Sequence, residues 1–255
     1  MIIRRRSSLF FGAVIGTLYG SSTLAQTTHG ETAPQGLSNE IIVTAQRRGE
    51  VEQRVPIAIS AVDDQALKTR GINNPTDLVT TIPSLSITQN VLSASLFIRG
   101  IGQTGGAPNN ENSVAMYIDD VYLGTPQMTL TDFVNLAQVA VLKGPQGTLF
   151  GRNSTGGVVQ FTTRDPQHDP SVSFAVSYGN YERARSEFYG TTGLSDRAAI
   201  DLAAIYENQG KGYGKNLTRG NDTFRRQIFS LRSKLLLEPF EGTTIRISAD
   251  YSDQD

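Results

Sequence analysis

The sequence predicts a two-part, β-rich chain: a compact mixed α/β unit over residues 56–165, then a run of antiparallel strands over residues 166–255. Three observations carry that expectation. Glycine occurs at 25 of 255 positions and only 38% of residues are apolar, a composition of turns and half-buried strands rather than of a large aliphatic core. Between residues 56 and 163, short apolar runs alternate with cap and turn signals. After the breaker cluster Arg164-Asp165-Pro166-Gln167-His168-Asp169-Pro170 the texture changes to strict apolar/polar alternation.

The elements follow in chain order. Arg4, Arg5 and Arg6 precede an apolar stretch over residues 9–19, and Thr23-Leu24-Ala25 supplies small residues where a signal peptidase cuts, so residues 1–25 read as a secretory signal peptide. The stretch is shorter than the roughly 20 residues a spanning helix needs, and Gly12 and Gly16 interrupt it. Residues 26–39 are rich in Thr, Gly, Pro, Gln and Ser and read as linker, which with the following segment extends to residue 55. Within it, Glu40-Ile41-Ile42-Val43-Thr44-Ala45 is a β-prone island, and an isolated strand needs a partner.

In the α/β unit, residues 57–62 form a strand, Asp63 or Asp64 caps a short helix through Arg70, and Gly71 ends it. Asn74 and Pro75 set a cap and first-turn proline for a second helix over residues 76–81, stopped ahead of Pro83. Strands return at residues 85–88, 96–99, 139–143 and 158–162, with a hairpin over residues 116–123 turning at Asp119-Asp120. In the last third, Val172, Phe174, Val176 and Tyr178 share one face. Ile200, Leu202, Ala204 and Tyr206 oppose Asp201, Ala203 and Glu207, and Phe229, Leu231, Leu235 and Leu237 oppose Ser230, Arg232 and Lys234. Ile245, Ile247, Ala249 and Tyr251 likewise oppose Arg246, Ser248 and Asp250. Short turns at residues 194–197 and 238–242 alternate with a long polar loop at residues 209–225. This is the period of a membrane barrel with a wet lumen, and a soluble β-sandwich gives the same alternation.

Several function classes are excluded. A net charge of −1 argues against a nucleic-acid scaffold, and the absence of cysteine removes disulfides, thiolate metal sites and a cysteine nucleophile. His29 lies in the linker and His168 in the junction, so no catalytic set, metal cluster or resident cofactor is expected. The glycines around Gly151 do not make a phosphate loop, because glycine stands where that motif needs lysine.

The run VLKGPQGTLFGRNSTGG at residues 141–157, with IRGIG at 98–102 and YIDDVYLG at 117–124, resembles the plug domain of TonB-dependent outer-membrane receptors. The resemblance implies an α/β plug domain followed by the first antiparallel strands of an incomplete transmembrane β-barrel. About five strands are present, against the roughly 22 with which such receptors close. It implies location in the outer membrane among its lipids, and uptake of a scarce bulky ligand such as a ferric siderophore, cobalamin or carbohydrate. Glu40, Ile41, Ile42, Val43, Thr44 and Ala45 are similar to the TonB box, which meets the inner-membrane coupling protein TonB by strand addition; the first strand of the plug is the other reading of that segment. Arg99 and Lys143 fall where basic plug residues latch to barrel carboxylates, with lysine in place of the usual arginine; charges reaching solvent at strand ends are the alternative. Gly100, Gly144, Gly147, Gly151, Gly156 and Gly157 are expected to serve positive φ and close chain approach. Gln89, Asn90, Gln103, Asn109, Asn110, Tyr122 and Gln127 occupy loops where the family contacts its ligand, although loops are also polar merely as loops. A truncated plug protein that binds ligand or coupling protein without forming a pore is the rival reading.

Cleavage after Ala25 is the testable expectation here: amino-terminal mass analysis of exported protein should begin at Gln26, and a retained Met1 would contradict it.

Overall fold

The computed structural model describes residues 57–72, 74–89, 94–103, 112–124 and 134–254, together with the backbone of residues 10–14, 42–43 and 50–51. Three short strands come first: β1 (Phe10–Val14), β2 (Ile42–Val43) and β3 (Glu50–Val51). The α/β unit comprises β4 (Ile59–Asp63), α1 (Asp64–Thr69), a 3-10 helix (Pro75–Thr80), β5 (Leu85–Gln89), β6 (Ala94–Ile98), β7 (Ile101–Gly102), β8 (Val114–Ile118), β9 (Val121–Tyr122), β10 (Leu136–Lys143), α2 (Gly147–Phe150) and β11 (Gly157–Thr163). The wall follows as β12 (Ser171–Gly179), β13 (Arg183–Ser195), β14 (Ala198–Gln209), the small hairpin β15 (Gly214–Lys215) and β16 (Asp222–Thr223), β17 (Gln227–Phe240) and β18 (Thr243–Gln254).

Local chemistry accounts for the plug helices. Asp63 Oδ1 accepts the Ala66 N–H at 2.8 Å, which caps α1, and Asp64 and Lys68 sit at the ends that complement the helix dipole. Asn74 and Asp77 form a reciprocal capping box ahead of Pro75. The segment after it is a 3-10 helix rather than the expected α-helix. It has only six residues before Pro83, so tighter i→i+3 bonds such as Thr81 N to Leu78 O (3.0 Å) satisfy groups that an α-helix of that length leaves open.

The central plug sheet has the order β4-β10-β11-β8-β9, with β8 parallel to β11 and the remaining pairs antiparallel. Both faces are covered. Val62, Leu67, Leu78, Ile82, Val139, Val141 and Phe161 pack on one side, and Ala115, Tyr117, Leu142, Phe150 and Val158 on the other. That is why residues 139–142 read as continuous Val-Ala-Val-Leu instead of alternating. A separate sheet, β5-β6-β7, brings Leu85, Leu96 and Ile98 into the first cluster.

The wall is an open sheet of order β1-β18-β17-β14-β13-β12, built from five long strands with β1 added at one edge. The sequence reading places residues 10–14 in the apolar core of the export signal, and the folded chain pairs them with β18. An export signal is read before folding, so this pairing leaves the cleavage expectation untouched. The choice between barrel and sandwich is decided by which face is buried. Phe174 is 68% and Leu202 42% exposed, whereas Asp201 and Lys234 are each 3% exposed. A soluble sandwich hides its apolar face; here the charged face is hidden and the apolar one turned outward, the arrangement of a barrel wall in lipid. From Ala198 to Tyr206, where alternate residues of β14 face outward, eight steps give about 26 Å of strand, or about 20 Å of height at the usual barrel tilt, most of a hydrocarbon band of about 25 Å.

Gly157 shows how tightly the plug sheet is threaded. Its φ is +141°, and a Cβ there would lie 2.3 Å from the carbonyl oxygen of Leu142 and 2.8 Å from Ile98 Cδ1. Gly157→Ala should cost about 1–3 kcal/mol from backbone strain alone, read as a lowered denaturant midpoint; an unchanged midpoint would contradict this geometry.

Candidate functional site

The plug meets the wall through a turn. Between β8 and β9 the two-residue connection Asp119-Asp120 has φ of 45° and 66°, the hairpin geometry in which both central residues are left-handed. Aspartate tolerates that region better than most residues, which is how the turn forms without glycine. Asp119 is then stitched to the end of β11: its N–H donates to Phe161 O (3.0 Å), its Oδ1 accepts from the Thr163 N–H (2.8 Å) and its Oδ2 from Thr163 Oγ1 (2.6 Å). Gln160 Nε2 donates to Asp120 Oδ1 at 3.1 Å.

The wall supplies the opposite charge. Arg232 and Lys234 are two residues apart on β17 and therefore share its inner face. Arg232 Nη2 reaches Asp119 Oδ2 at 2.5 Å, and Lys234 Nζ lies 3.4 Å from the same oxygen. Lys234 also meets Asp165 Oδ1 (3.0 Å), and Arg246 on β18 donates from Nε and Nη2 to Asp165 Oδ2 at 3.0 and 2.9 Å. Arg232 Nη1 pairs across to Asp250 at 2.9 Å. Asp201 on β14 accepts the Lys234 N–H at 2.7 Å and Asn135 Nδ2 at 3.4 Å. Nearby, Arg164 bridges to Asp64 of α1 at 2.5 Å and lies over the Tyr189 ring of β13, 5.4 Å from its centroid. Three cations and four carboxylates thus clasp one end of the plug sheet to the half of the wall nearer its short turns.

Burial makes this clasp consequential. A buried ammonium such as Lys234 persists only with partners. Burial pushes the Asp165 carboxyl up, but hydrogen bonds and charge from Arg246 and Lys234 outweigh it and hold its pKa below the ordinary value.

At the opposite, long-loop end of the wall a second inward network joins Glu207 to Arg183 (2.8 Å) and Arg185 (3.0 Å), with Arg185 also reaching Glu187 at 2.6 Å. Above it Lys211 pairs with Glu182 at 2.7 Å, and Tyr181 and Tyr213 meet edge to face with centroids 4.6 Å apart.

The residues singled out from sequence fall in different places. Arg99 has φ of 53° beside Gly100 at 79°, its N–H donates to Ser84 O (2.8 Å) and its side chain is exposed. Lys143 is half-buried and donates to Ser60 Oγ at 2.6 Å. Among the described residues, the ion pairs between plug and wall go instead to Asp119 and Asp165. Gly144 and Gly151 have φ of 96° and 75°, Gly156 lies against Ile101 and Val114, and Gly147 opens α2 in open space. Gln89 is exposed at the end of β5 and Gln103 follows β7; Tyr122 OH accepts from Asn153 Nδ2 at 2.7 Å. Asn90, Asn109, Asn110 and Gln127 lie outside the described residues, as do Glu40, Ile41, Thr44 and Ala45. Ile42 and Val43 pair with Val51 and Glu50.

The clasp itself was not assembled from sequence. Its signal was the Arg232/Lys234 repeat on an inner face and a glycine-free Asp-Asp turn, and only the fold shows that they meet.

Two outcomes test this geometry. Asp119→Asn or Arg232→Met alone should destabilise the chain by about 1–3 kcal/mol in denaturant unfolding, because each strips one charged hydrogen-bond partner from a group that keeps only Asp250 or Lys234 as a charged partner, while the double variant should cost less than the sum; additive effects would contradict a buried clasp. The depressed pKa of Asp165 means that its stabilisation is complete above the unfolded-state carboxylate pKa and is lost as pH falls through the lower folded value. Asp165→Asn should therefore cost most stability near pH 7 and progressively less as the pH is lowered below the unfolded-state carboxylate pKa, and a penalty that does not change with pH would contradict the ionic account.

A family model described as TonB-dependent Receptor Plug Domain matches residues 51–158. The chain is 24% identical over 268 residues to the iron-regulated outer membrane virulence protein of Vibrio cholerae, an alignment covering 98% of this chain and 38% of that protein. It is 24% identical over 208 residues to the pesticin receptor of Yersinia pestis, covering 80% and 30%. Among solved structures, the ferric yersiniabactin uptake receptor FyuA from Yersinia pestis superposes with a TM-score of 0.71 at 22% identity, over 78% of this chain and 32% of that one. The pyoverdine outer membrane receptor FpvA from Pseudomonas aeruginosa gives 0.69 at 20% identity, over 83% and 29%. This chain therefore spans less than two-fifths of the length of these relatives.

Proposed function

We propose that this chain, which belongs to the TonB-dependent outer-membrane receptors through its plug domain, serves energy-coupled uptake of a scarce, bulky ligand, a ferric siderophore foremost. The carrying observation is the plug held by Asp119 and Asp165 against the inner face of a wall whose outer face is apolar. A compact domain lodged there blocks the lumen, so passage requires work on the plug. The ligand class is supported by what the relatives are called: an iron-regulated outer membrane protein, a ferric yersiniabactin uptake receptor and a pyoverdine receptor.

Work on the plug enters through residues 40–45 in this reading. An extended segment binds by pairing its main chain with an open sheet edge, and among the described residues β2 pairs on one side only, with β3. Short turns facing the periplasm and long loops facing outside put the clasp at the periplasmic side and the loop over residues 210–226 at the cell exterior. Ligand then meets the outer loops and the plug residues Gln89, Asn90, Gln103, Asn109, Asn110, Tyr122 and Gln127. Arg99 and Lys143 stand at plug-strand ends away from the clasp and are assigned to carboxylates of wall beyond the five long strands.

Val43→Pro removes a main-chain donor from the added strand and should weaken binding of the coupling protein about tenfold in a pull-down, with plug stability unchanged. Equal affinity of the two proteins would contradict the coupling assignment.

A further inference from the structure

Basic plug residues and acidic wall residues are the polarity expected of a plug latch, and at the base of this plug the polarity is reversed. We infer that Asp119 and Asp165 are positioning residues, a carboxylate pair through which Arg232, Lys234 and Arg246 seat the end of the plug sheet on the wall independently of Arg99 and Lys143. The inference rests on the receptor reading for its purpose but not for its geometry.

Four features support a seat rather than incidental surface pairing. The contact is multidentate: Asp165 takes two hydrogen bonds from Arg246 and one from Lys234, while Lys234 touches both plug carboxylates. Its Asp119 half is largely dry, with Arg232 9%, Lys234 3% and Asp119 17% exposed, whereas the Asp165–Arg246 pair is about half exposed, at 42% and 49%, and contributes less. The acids are placed by backbone rather than by loose side chains, Asp119 by the left-handed turn and two bonds to Thr163, Asp165 by the chain's direct passage from β11 toward the wall. Finally, the seat lies beside residues 164–170, where the plug chain becomes the wall chain, so the covalent connection and the ion pairs hold the same end of the plug sheet. The β8–β9 turn, the segment leading into β10 through Asn135 and the end of β11 are thereby held at one end of the plug sheet.

Amide hydrogen exchange on the full chain in detergent, without ligand or coupling protein, tests the seat. Asp119→Asn and Arg232→Gln should each speed exchange of residues 114–122 about tenfold while β13 and β14 stay protected. The double variant should be no faster than the quicker single one, and Arg232→Lys, which keeps the charge but not the fork that reaches both Asp119 and Asp250, should fall between wild type and Arg232→Gln. Arg232 lies outside the plug, so a plug that keeps wild-type exchange in Arg232→Gln overturns the inference even if Asp119→Asn unfolds. Additive effects in the double variant, or Arg232→Lys behaving as Arg232→Gln, overturn it as well. Failure of the receptor reading would show separately, as a coupling protein indifferent to Val43→Pro.

Discussion

A strand in hydrocarbon can leave neither its backbone groups nor its charges unpartnered, and this constraint organises the molecule. Within the open sheet each backbone group between the edge strands β1 and β12 is satisfied by a neighbouring strand, and the charges of the long wall strands, Asp253 at the end of β18 excepted, lie on the face away from lipid. Because side chains alternate along a strand, confining charge to one face makes the other continuously apolar, as Ile200, Leu202, Ala204 and Tyr206 are on β14. The inner face then carries Asp201, Glu207, Arg232 and Lys234 in a space that a compact domain also occupies. Those charges must be compensated within the protein, and the plug's aspartates meet part of that need.

The same constraint explains why the plug departs from an ordinary small α/β domain. Its sheet is covered on both faces by its own side chains, so the core stands without the wall. What the wall adds is orientation. A turn of two left-handed aspartates is an unusual choice where glycine would be easier, and here the side chains repay the strain by bonding Thr163 and Arg232. The opposite end of the sheet is built from close approaches such as Gly157 against Leu142, which need no charge. The two ends of one sheet are thus held by different physics.

Much of this was legible in the residues. The strict alternation after residue 170 located β12, β14, β17 and β18, because a period of two survives any packing partner, while β13 entered only through the count of about five strands; the caps at Asp63 and Asn74 located α1 and the 3-10 helix, and α2, which has no side-chain cap, was not expected. The direction of the alternation was not legible: a sandwich and a barrel share the period, and only burial separates them. The second helix came out as 3-10 because its length, not its caps, decides the hydrogen-bond pattern. The plug–wall contact was invisible for a different reason. Asp119 and Arg232 are 113 residues apart, and each has a sufficient local explanation, a turn for one and an inner-face charge for the other. The family resemblance points to bases on the plug, Arg99 and Lys143, whereas the described wall offers bases of its own, Arg232, Lys234 and Arg246.

The central claim is that the wall is apolar toward lipid and charged toward the plug. It is tested most directly by single cysteines on β14, since the natural chain has none. Leu202→Cys, Ala204→Cys and Tyr206→Cys, each carrying a fluorophore in detergent or lipid, should be quenched by a lipid-soluble quencher. Ala203→Cys and Ile205→Cys should label poorly and resist quenching. Quenching at 203 and 205 with protection at 202 and 204, or equal quenching along the strand, would contradict the account.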